Sequence, residues 1–404
     1  MDRSDILILG GGLVGLTLAI ALDRHGISTI VVDPADPATV LGQGFDGRAS
    51  AISSASYRMF EAIGVADRLT GHGCPIGAIR VTDGLQPKGL MFEPDADDGA
   101  LGIMFENRRL RTVLHELSAE APNITIRRTT AKHVVRDEAG VRVTLADGGE
   151  VGAALLVGAE GRRSPTRDAA GIRTAAWKYD HVAIITSLGH EKPHGGIAHE
   201  IFYPAGPFAI LPLIDDAEGH RSALVWTVKA ADAPAILGLP DRAFLAEAEA
   251  RMGGLLGALR MASGRSSYPL GFHHAARITD RRLALVGDAA HGIHPIAGQG
   301  LNLGLRDAAA LTEVLADGAR LGLDLGDAQL LARYDRWRAV DSFLVAAVTD
   351  SLTHLFGMPG RLPAAVRRFG LGVVRRAPPL KAAFMAEARG ESGAMPRLLR
   401  GELV

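Results

Sequence analysis

The apolar positions among residues 1–33 predict a strand, a helix and a second strand. Residues 6–9 form an unbroken apolar run, which is typical of a strand buried on both faces of a parallel sheet. Residues 16–22 predict a helix that Gly26 ends, and residues 30–32 form a second apolar run that Asp33 closes. This order is that of a βαβ unit and indicates an α/β fold.

A glycine motif joins the first strand to the helix, with Gly10, Gly12 and Gly15 in the pattern G-x-G-x-x-G. The first glycine allows a tight turn, the second lets a pyrophosphate approach the backbone, and the third lets the helix lie close to the strand. The helix N-terminus offers free N–H groups to phosphates, and Asp33 can accept hydrogen bonds from a ribose. The stretch predicts a dinucleotide site, in which we include Leu13. A glycine-rich turn without a ligand is the alternative.

Residues 6–22 carry no charge, so they are also compatible with a short membrane span or a signal peptide. Their length is at the lower limit of the roughly 17–25 residues that a spanning helix needs, and adjacent glycines are unfavourable in such a helix. The residues before the run have no net positive charge, and no A-x-A-like cleavage site follows. We therefore favour the βαβ interpretation.

Two later apolar runs also end at an acid beside a glycine. Residues 155–159 precede Glu160 and Gly161, and residues 282–286 precede Gly287 and Asp288. A glycine-rich stretch and a helix over 304–315 follow the second run, which again places backbone N–H groups at a helix N-terminus. We expect this element to face the same cofactor, with Asp288 able to bind a ribitol hydroxyl.

The segments between these elements predict further strands and helices. Helices are predicted over 49–63, 107–119 and 241–261, and short strands within 75–101 and over 124–128, 131–136 and 141–145. Residues 175–271 are rich in strand patterns and would form a separate sheet, suited to a substrate lid or wall. Arg48 follows a loop over 34–47, where it could pair with a pyrophosphate or be a solvated surface arginine.

Composition narrows the classes of function. The 404 residues suggest two or three domains, and the net charge of -1 gives no electrostatic bias toward nucleic acid. The single cysteine, Cys74, excludes an internal disulfide and a cysteine-based metal cluster, and it agrees with a reducing cytoplasm. His291 and His294 could form a metal pair, but no third ligand is evident, so we expect no metal site.

Three motifs in sequence order carry a resemblance to a known family: the first glycine motif, the Glu160–Gly161 turn, and GDAAHGIHPIAGQGLN over 287–302. Together they resemble the single-component flavin monooxygenases with the para-hydroxybenzoate hydroxylase fold. The sequences DGRA at 46–49, ENR at 106–108, PAGPFAILP at 204–212 and ARG at 388–390 resemble the ubiquinone-biosynthesis hydroxylases within that group. The resemblance spans nearly the whole chain.

The resemblance implies a Rossmann-like FAD-binding domain with an inserted β-sheet substrate domain and a C-terminal helical segment. We expect the FAD-binding domain at 1–74, 101–174 and 273–354, the substrate domain at 75–100 and 175–272, and the basic helical segment at 355–404. The implied cofactor is non-covalent FAD. The expected cofactor-binding residues are Gly10, Gly12, Leu13, Gly15, Asp33, Arg48, Asn107, Glu160, Gly161, Gly287, Asp288, Pro295, Gly298, Gly300, Leu301 and Asn302.

One of these residues departs from the family pattern. The family usually has Asp where this chain has Glu160. The extra methylene moves the carboxylate by about 1.5 Å. The assignment of Glu160 is therefore less secure than that of Asp288.

The resemblance also implies a reaction. Such enzymes reduce FAD with NADH or NADPH, form a flavin C4a-hydroperoxide with O2, and hydroxylate a phenol ring, here that of a prenylated phenol. Pro295 and Gln299 are the expected catalytic residues, because they shape the flavin and oxygen pocket. Phe202 and Tyr203 line the substrate pocket or belong to the core. An isoprenoid-lipid reductase and a non-catalytic flavin subunit of a quinone-biosynthesis complex are the alternatives.

Residues 355–404 contain nine basic and three acidic residues, a net charge of +6, with apolar residues between them. Such a basic amphipathic segment is typical of a membrane-surface or partner-binding element. Helices packed on the FAD domain with solvated arginines are an equal alternative. We expect a cytoplasmic protein, peripheral at the inner face of the membrane if the first interpretation holds.

Overall fold

The computed structural model describes residues 1–36, 38–39, 47–87, 89–94, 99–292, 299–339 and 377–404. Strands in these ranges form three sheets, and helices cover them. The helices with both ends in these ranges include α1 Leu13–Asp23, α2 Ser54–Ala62, α3 Ala66–Leu69, α4 Asn107–Glu120, α5 Pro165–Ala169, α6 Ala233–Leu237, α7 Asp241–Met252, α8 Gln299–Arg320 and α9 Pro378–Ala388, with 3-10 turns at Gly287–Ala289 and Arg397–Arg400. Residues 328–339 are also helical.

The first sheet contains the βαβ unit at its centre. Its strands are β1 Asp2–Leu9, β2 Thr29–Val32, β8 Ile124–Arg127, β9 Ala131–Asp137, β10 Gly140–Leu145, β11 Glu150–Gly158, β18 Thr279–Asp280 and β19 Leu283–Leu285. The neighbours β19, β11, β1, β2 and β8 run parallel. Residues 6–9 of β1 are buried, as the unbroken apolar run predicts for a strand covered on both faces.

The second sheet forms most of the other layer. Its strands are β5 Ala78–Asp83, β6 Leu90–Phe92, β12 Thr174–His190, β13 Ile197–Tyr203, β14 Gly206–Asp216, β15 Gly219–Lys229, β16 Leu259–Met261, β17 Ser266–Ala275 and β20 His291–Gly292. Helix α7 packs on one of its faces, where Phe244 joins Trp226 and Phe208 in a separate core. Three chain segments build this sheet, because β20 follows β18 and β19 of the first sheet in sequence. The predicted domain boundaries stay a prediction.

A small third sheet lies between the two large ones. It contains β3 Ala49–Ser53, β4 Cys74–Ile76 and β7 Gly102–Glu106. Met104 and Cys74 pack against Ala198 and Ala223 of the second sheet. The Arg221 guanidinium of β15 also lies 3.0 Å from the Glu106 carboxylate of β7. The third sheet therefore joins the layer that carries the glycine motif to the β-rich layer.

Two predicted helices were wrong over part of their length. Residues 49–53 form β3, because their backbone pairs with β7, and only Ser54–Ala62 is helical. The Ser53 hydroxyl marks the start of this helix by accepting a hydrogen bond from the Ser56 N–H. The helix predicted over 241–261 ends at Met252, where Gly253 takes the left-handed conformation with φ of 61°.

The basic C-terminal segment lies outside the described residues between 355 and 376. In the described remainder, Leu398 and Leu399 are buried in the core of the first sheet and its helices. Arg389, Arg397 and Arg400 lie near Glu391, Glu313 and Glu402, respectively. The packed-helix alternative therefore fits this part of the segment. Every helix in the described ranges is too short or too polar to cross a lipid bilayer.

Candidate active site

The glycine motif forms the turn that its spacing predicts. Gly10 has a φ of 107°, a conformation that favours glycine, and its N–H donates to the Val32 carbonyl at 2.9 Å. A β-carbon at Gly15 would overlap the Gly10 carbonyl oxygen, so only glycine lets α1 lie this close to β1. Gly12 is the N-cap of α1, and a β-carbon there would meet no atom of the residues that the structure describes within 4 Å. The open side of the turn is therefore at Gly12, where a phosphate would approach.

Asp33 has a second role that the sequence did not reveal. Its carboxylate accepts hydrogen bonds from the Gly11 N–H at 2.6 Å and the Ala35 N–H at 2.8 Å. The acid at the end of β2 thus fixes the glycine turn of β1. Since a carboxylate has about four acceptor positions, Asp33 can still accept from a ribose hydroxyl.

The N-terminus of α8 lies beside that of α1. A β-carbon at Gly304 would come within 2.7 Å of Val14 Cγ2 and 3.2 Å of Gly287 Cα, so glycine allows three segments to meet there. Gly300, in the first turn of α8, has no atom of the described residues within 4 Å of its β-carbon position. Leu301 packs against the core of the first sheet. Two helix N-termini, each with an open glycine, therefore stand at one place.

The two predicted acids near this place differ in their partners. Asp288 is exposed, and within the described ranges its side chain makes no hydrogen bond or ion pair. Glu160 is half-buried and accepts hydrogen bonds from the hydroxyls of Ser164 and Thr166, each at 2.5 Å. Gly161 follows it with a φ of 80° and open space around it. Asp288 is available to a ligand, whereas Glu160 is engaged with the start of α5.

A buried network beneath the Asp288 turn was missed by the sequence analysis. Asp307 of α8 is fully buried; its carboxylate accepts from the Gly287 N–H at 2.8 Å and from Arg338 Nε at 2.7 Å. His291 Nε2 lies 2.7 Å from the same carboxylate. Burial alone would raise the pKa of Asp307, but His291 and Arg338 outweigh burial and hold this pKa below its ordinary value. The network fixes the turn that carries Asp288.

Two asparagines attach the third sheet to this site. Asn302 Oδ1 accepts from the Ser53 N–H at 2.9 Å, and its Nδ2 donates to the Ala51 carbonyl at 2.8 Å. Asn107 accepts from the Ser50 hydroxyl at 2.7 Å. Its N–H donates to the carbonyl of Arg48, whose side chain is exposed. Both side-chain amides thus hold β3 in place, and their contact with a flavin stays a prediction.

The remaining predicted residues fall into two groups. Pro295 and Gly298 lie outside the described residues, as does His294, whereas Gln299 begins α8. Phe202 and Tyr203 point to opposite faces of β13. Tyr203 packs in the core under α7 and its hydroxyl donates to the Arg251 carbonyl at 2.6 Å, which supports the core alternative for this residue. Phe202 is buried on the other face.

Comparison with known proteins agrees with this geometry. Residues 3–342 match the family model described as FAD binding domain. The chain is 47% identical to ubiquinone hydroxylase UbiL of Rhodospirillum rubrum, over 98% of this chain and 93% of that protein. The chain belongs to the FAD-binding ubiquinone hydroxylases. It is also 33% identical to the 3-demethoxyubiquinol 3-hydroxylase of Escherichia coli, over 96% of this chain and 98% of that protein.

Solved structures show the same fold. The p-nitrophenol 4-monooxygenase PnpA of Pseudomonas putida superposes with a TM-score of 0.79 at 18% identity, over 97% of this chain and 99% of that chain. The Diels-Alderase PyrE3 also superposes, with a TM-score of 0.74 at 23% identity, over 98% of this chain and 82% of that chain. The predicted fold class and the FAD cofactor are confirmed. The fold alone leaves the reaction open, because it hosts more than one chemistry.

Replacing Asp288 with alanine should weaken FAD binding by about 10-fold to 150-fold, the value of a hydrogen bond to a charged group. Glu160→Ala should weaken it less, because the Glu160 carboxylate is already bonded to Ser164 and Thr166. Fluorescence titration of the apoprotein with FAD measures both dissociation constants. Equal affinity in Asp288→Ala and wild type would remove Asp288 from the cofactor site.

Proposed function

We propose that the protein is an FAD-dependent monooxygenase that hydroxylates the aromatic ring of a prenylated phenol in ubiquinone biosynthesis, with NADH or NADPH and O2 as co-substrates. One observation carries the proposal. The N-termini of α1 and α8 stand side by side, next to the Asp288 carboxylate, which has no hydrogen bond or ion pair to any residue that the structure describes. This arrangement suits a dinucleotide, and it occurs in a chain similar over almost its whole length to a protein named ubiquinone hydroxylase.

The residues present fit FAD. The N–H groups at the start of α1 would bind its phosphates, with Gly12 leaving the space that they need. Asp33 would accept from the ribose and Asp288 from the ribitol chain. Bound FAD, once reduced, supplies the activation of O2. The task of the protein side chains is to position the cofactor and the ring and to exclude water.

We propose that the aromatic substrate lies beside the packed apolar face of the second sheet. Its face toward the third sheet is mostly apolar, with Ala198, Leu213 and Ala223 packed against Met104 and Cys74. An apolar face suits a prenylated ring, because burying apolar surface provides most of the binding energy for such a ligand. A polyprenyl tail partitions into lipid. We therefore also propose that the enzyme is cytoplasmic and contacts the inner face of the membrane.

Labelled oxygen tests the proposed reaction. The holoenzyme should convert a prenylated phenol, in the presence of NADH or NADPH and labelled O2, into a product with one labelled oxygen atom. Mass spectrometry of the product measures the label, and a parallel reaction in labelled water is the control and should give none. A product that forms without oxygen and carries two added hydrogens would instead identify an isoprenoid-lipid reductase.

A further inference from the structure

Glu200 is a carboxylate in an unusual place, the middle of strand β13. Side chains alternate along a strand, so Ala198, Glu200 and Phe202 share one face. Ile201 and Tyr203 lie on the other face, in the core under α7. Glu200 therefore points away from that core.

The face that carries Glu200 is the face that packs on the third sheet. Ala198 packs with Met104 and Cys74 of the third sheet. Asn302 binds the first strand of that sheet to the start of α8, where a glycine is open to a ligand. The same face continues through Phe92 of β6, because the register joins Phe92 to Ile79 and Ile79 to Ala198.

The directly paired neighbours of Glu200 are apolar, and Asp83 lies diagonally from it on the same face. The partners of Glu200 on the neighbouring strands are Val81 and Ala209. Helix α9 approaches the same face, with Phe384 and Phe92 rings 6.3 Å apart. Within the described ranges, Glu200 makes no hydrogen bond and no ion pair. Although part of its surface is accessible, the burial of its carboxyl raises the pKa of Glu200 to about 7.

The Glu200 carboxyl is expected to lower the stability of the folded protein. A half-buried carboxyl on an apolar face loses part of its hydration, and among the described residues Glu200 gains no hydrogen bond or ion pair in return. Replacing it by a neutral residue would stabilise this face, so packing gives no reason for an acid there. Polar groups of this kind on an apolar wall are typical of sites that orient a ligand.

We infer that Glu200 receives the phenolic hydroxyl of the aromatic substrate, whose O–H donates a hydrogen bond to the carboxylate. The inference rests on the proposed function and adds to it the residue that recognises the ring. The bond fixes the ring hydroxyl against β13 and leaves the apolar tail to the surrounding wall. Because the carboxylate draws the hydroxyl hydrogen toward itself, it also raises the electron density of the ring, which favours attack by an electrophilic oxygen.

Binding to the oxidised holoenzyme without nicotinamide tests this assignment, because no turnover occurs. The probes are a phenol with one dimethylallyl group and its O-methyl ether, which cannot donate. Calorimetric titration of wild type should show the phenol binding at least about tenfold more tightly than the ether. In Glu200→Leu this ratio should fall to about one. In Glu200→Gln, which keeps a neutral acceptor, it should be intermediate.

Asp83→Asn is the matched control, because Asp83 pairs with Phe202 on the neighbouring strand and so lies on the same face. Its ratio should equal that of wild type. Thermal unfolding should show that Glu200→Gln is as stable as wild type or more so. If Glu200→Leu fails to fold, the ratio of phenol to ether affinity in Glu200→Gln tests the role of Glu200.

Two outcomes separate the inference from the proposed function. A wild-type ratio retained in the Glu200 variants, or a lower unfolding temperature of Glu200→Gln with an unchanged ratio, overturns the role of Glu200 and leaves the hydroxylase proposal intact. A wild-type holoenzyme that binds neither compound overturns the proposed substrate class, and the inference with it.

Discussion

Asp307→Asn should lower the free energy of unfolding by about 3 kcal/mol or more and should also weaken FAD retention. The substitution removes the negative charge that Arg338 and His291 face in a fully buried position. Breaking a buried ion pair leaves an uncompensated charge, which costs about 3–5 kcal/mol. The Asp307 carboxylate also accepts a hydrogen bond from the Gly287 N–H. The turn that contains Asp288 should therefore become less ordered in the variant. Urea unfolding and the FAD content of the purified protein measure the two effects.

Asp317→Asn is the control on the same helix. Asp317 lies 2.8 Å from Arg333 in a pair that is 27% and 42% exposed, and such pairs contribute at most about 1 kcal/mol. Its unfolding curve should lie close to that of wild type. An Asp307→Asn protein as stable as Asp317→Asn would contradict the importance of the buried network.

The pH dependence of stability follows from the lowered pKa of Asp307. A carboxyl with a lower pKa in the folded state than in the unfolded state stabilises the fold above its unfolded pKa, about 3.9. That contribution is lost as the pH falls through the lower folded pKa. The wild type should therefore lose stability on acidification below pH 4 more steeply than Asp307→Asn does.

Gly12→Val should weaken FAD binding by more than about a hundredfold while the protein stays folded. A β-carbon at Gly12 would meet no described atom within 4 Å, and the Gly12 backbone has a conformation that valine can adopt, with φ of -76°. The new side chain would therefore fill the space left for the pyrophosphate without a clash in the protein. Losing two charge-assisted hydrogen bonds of about 1.5–3 kcal/mol each should weaken FAD binding by more than about a hundredfold.

Substitutions at two further glycines serve as controls for Gly12→Val. Gly264 also has open space and no positive φ, so Gly264→Val should keep wild-type FAD affinity and stability. Gly15→Val should lose both, because its side chain would overlap the Gly10 carbonyl. Circular dichroism and FAD titration measure fold and affinity for all three. FAD binding by Gly12→Val with wild-type affinity would place the pyrophosphate elsewhere.

The sequence correctly predicted those helices and strands that are determined by residues close together in the sequence. Gly10, Gly15 and the apolar run at 6–9 define the βαβ unit within a short stretch, so pattern alone was sufficient. Helix limits at Ser53 and Met252 were harder, because backbone pairing with β7 and the left-handed Gly253 decided them. Local helical pattern cannot reveal a partner strand about fifty residues away in sequence.

The sequence could name single candidate residues at strand ends, and their binding of a cofactor stays a prediction. It could not reveal residues that act together. Asp33 and Asp288 stand at strand ends, so each could be named from its position. Asp307 could not, because Arg338 is 31 residues away and the network forms only when α8 packs on the first sheet. An acid on the apolar side of a predicted helix was the available signal. The bonds from Ser164 and Thr166 to Glu160 likewise depend on the turn into α5.

The packing of the C-terminal residues on the first layer has a consequence for how the protein acquires its cofactor. The Val404 N–H donates to His25 Nε2 at 3.1 Å across 379 residues of sequence, and Leu398 lies in the same core as α1. Closing such long loops makes folding slow, and an N-terminal βαβ unit made first on the ribosome has to wait for its partners. Flavin capture should therefore come late in the maturation of the chain, after residue 398 has been synthesised.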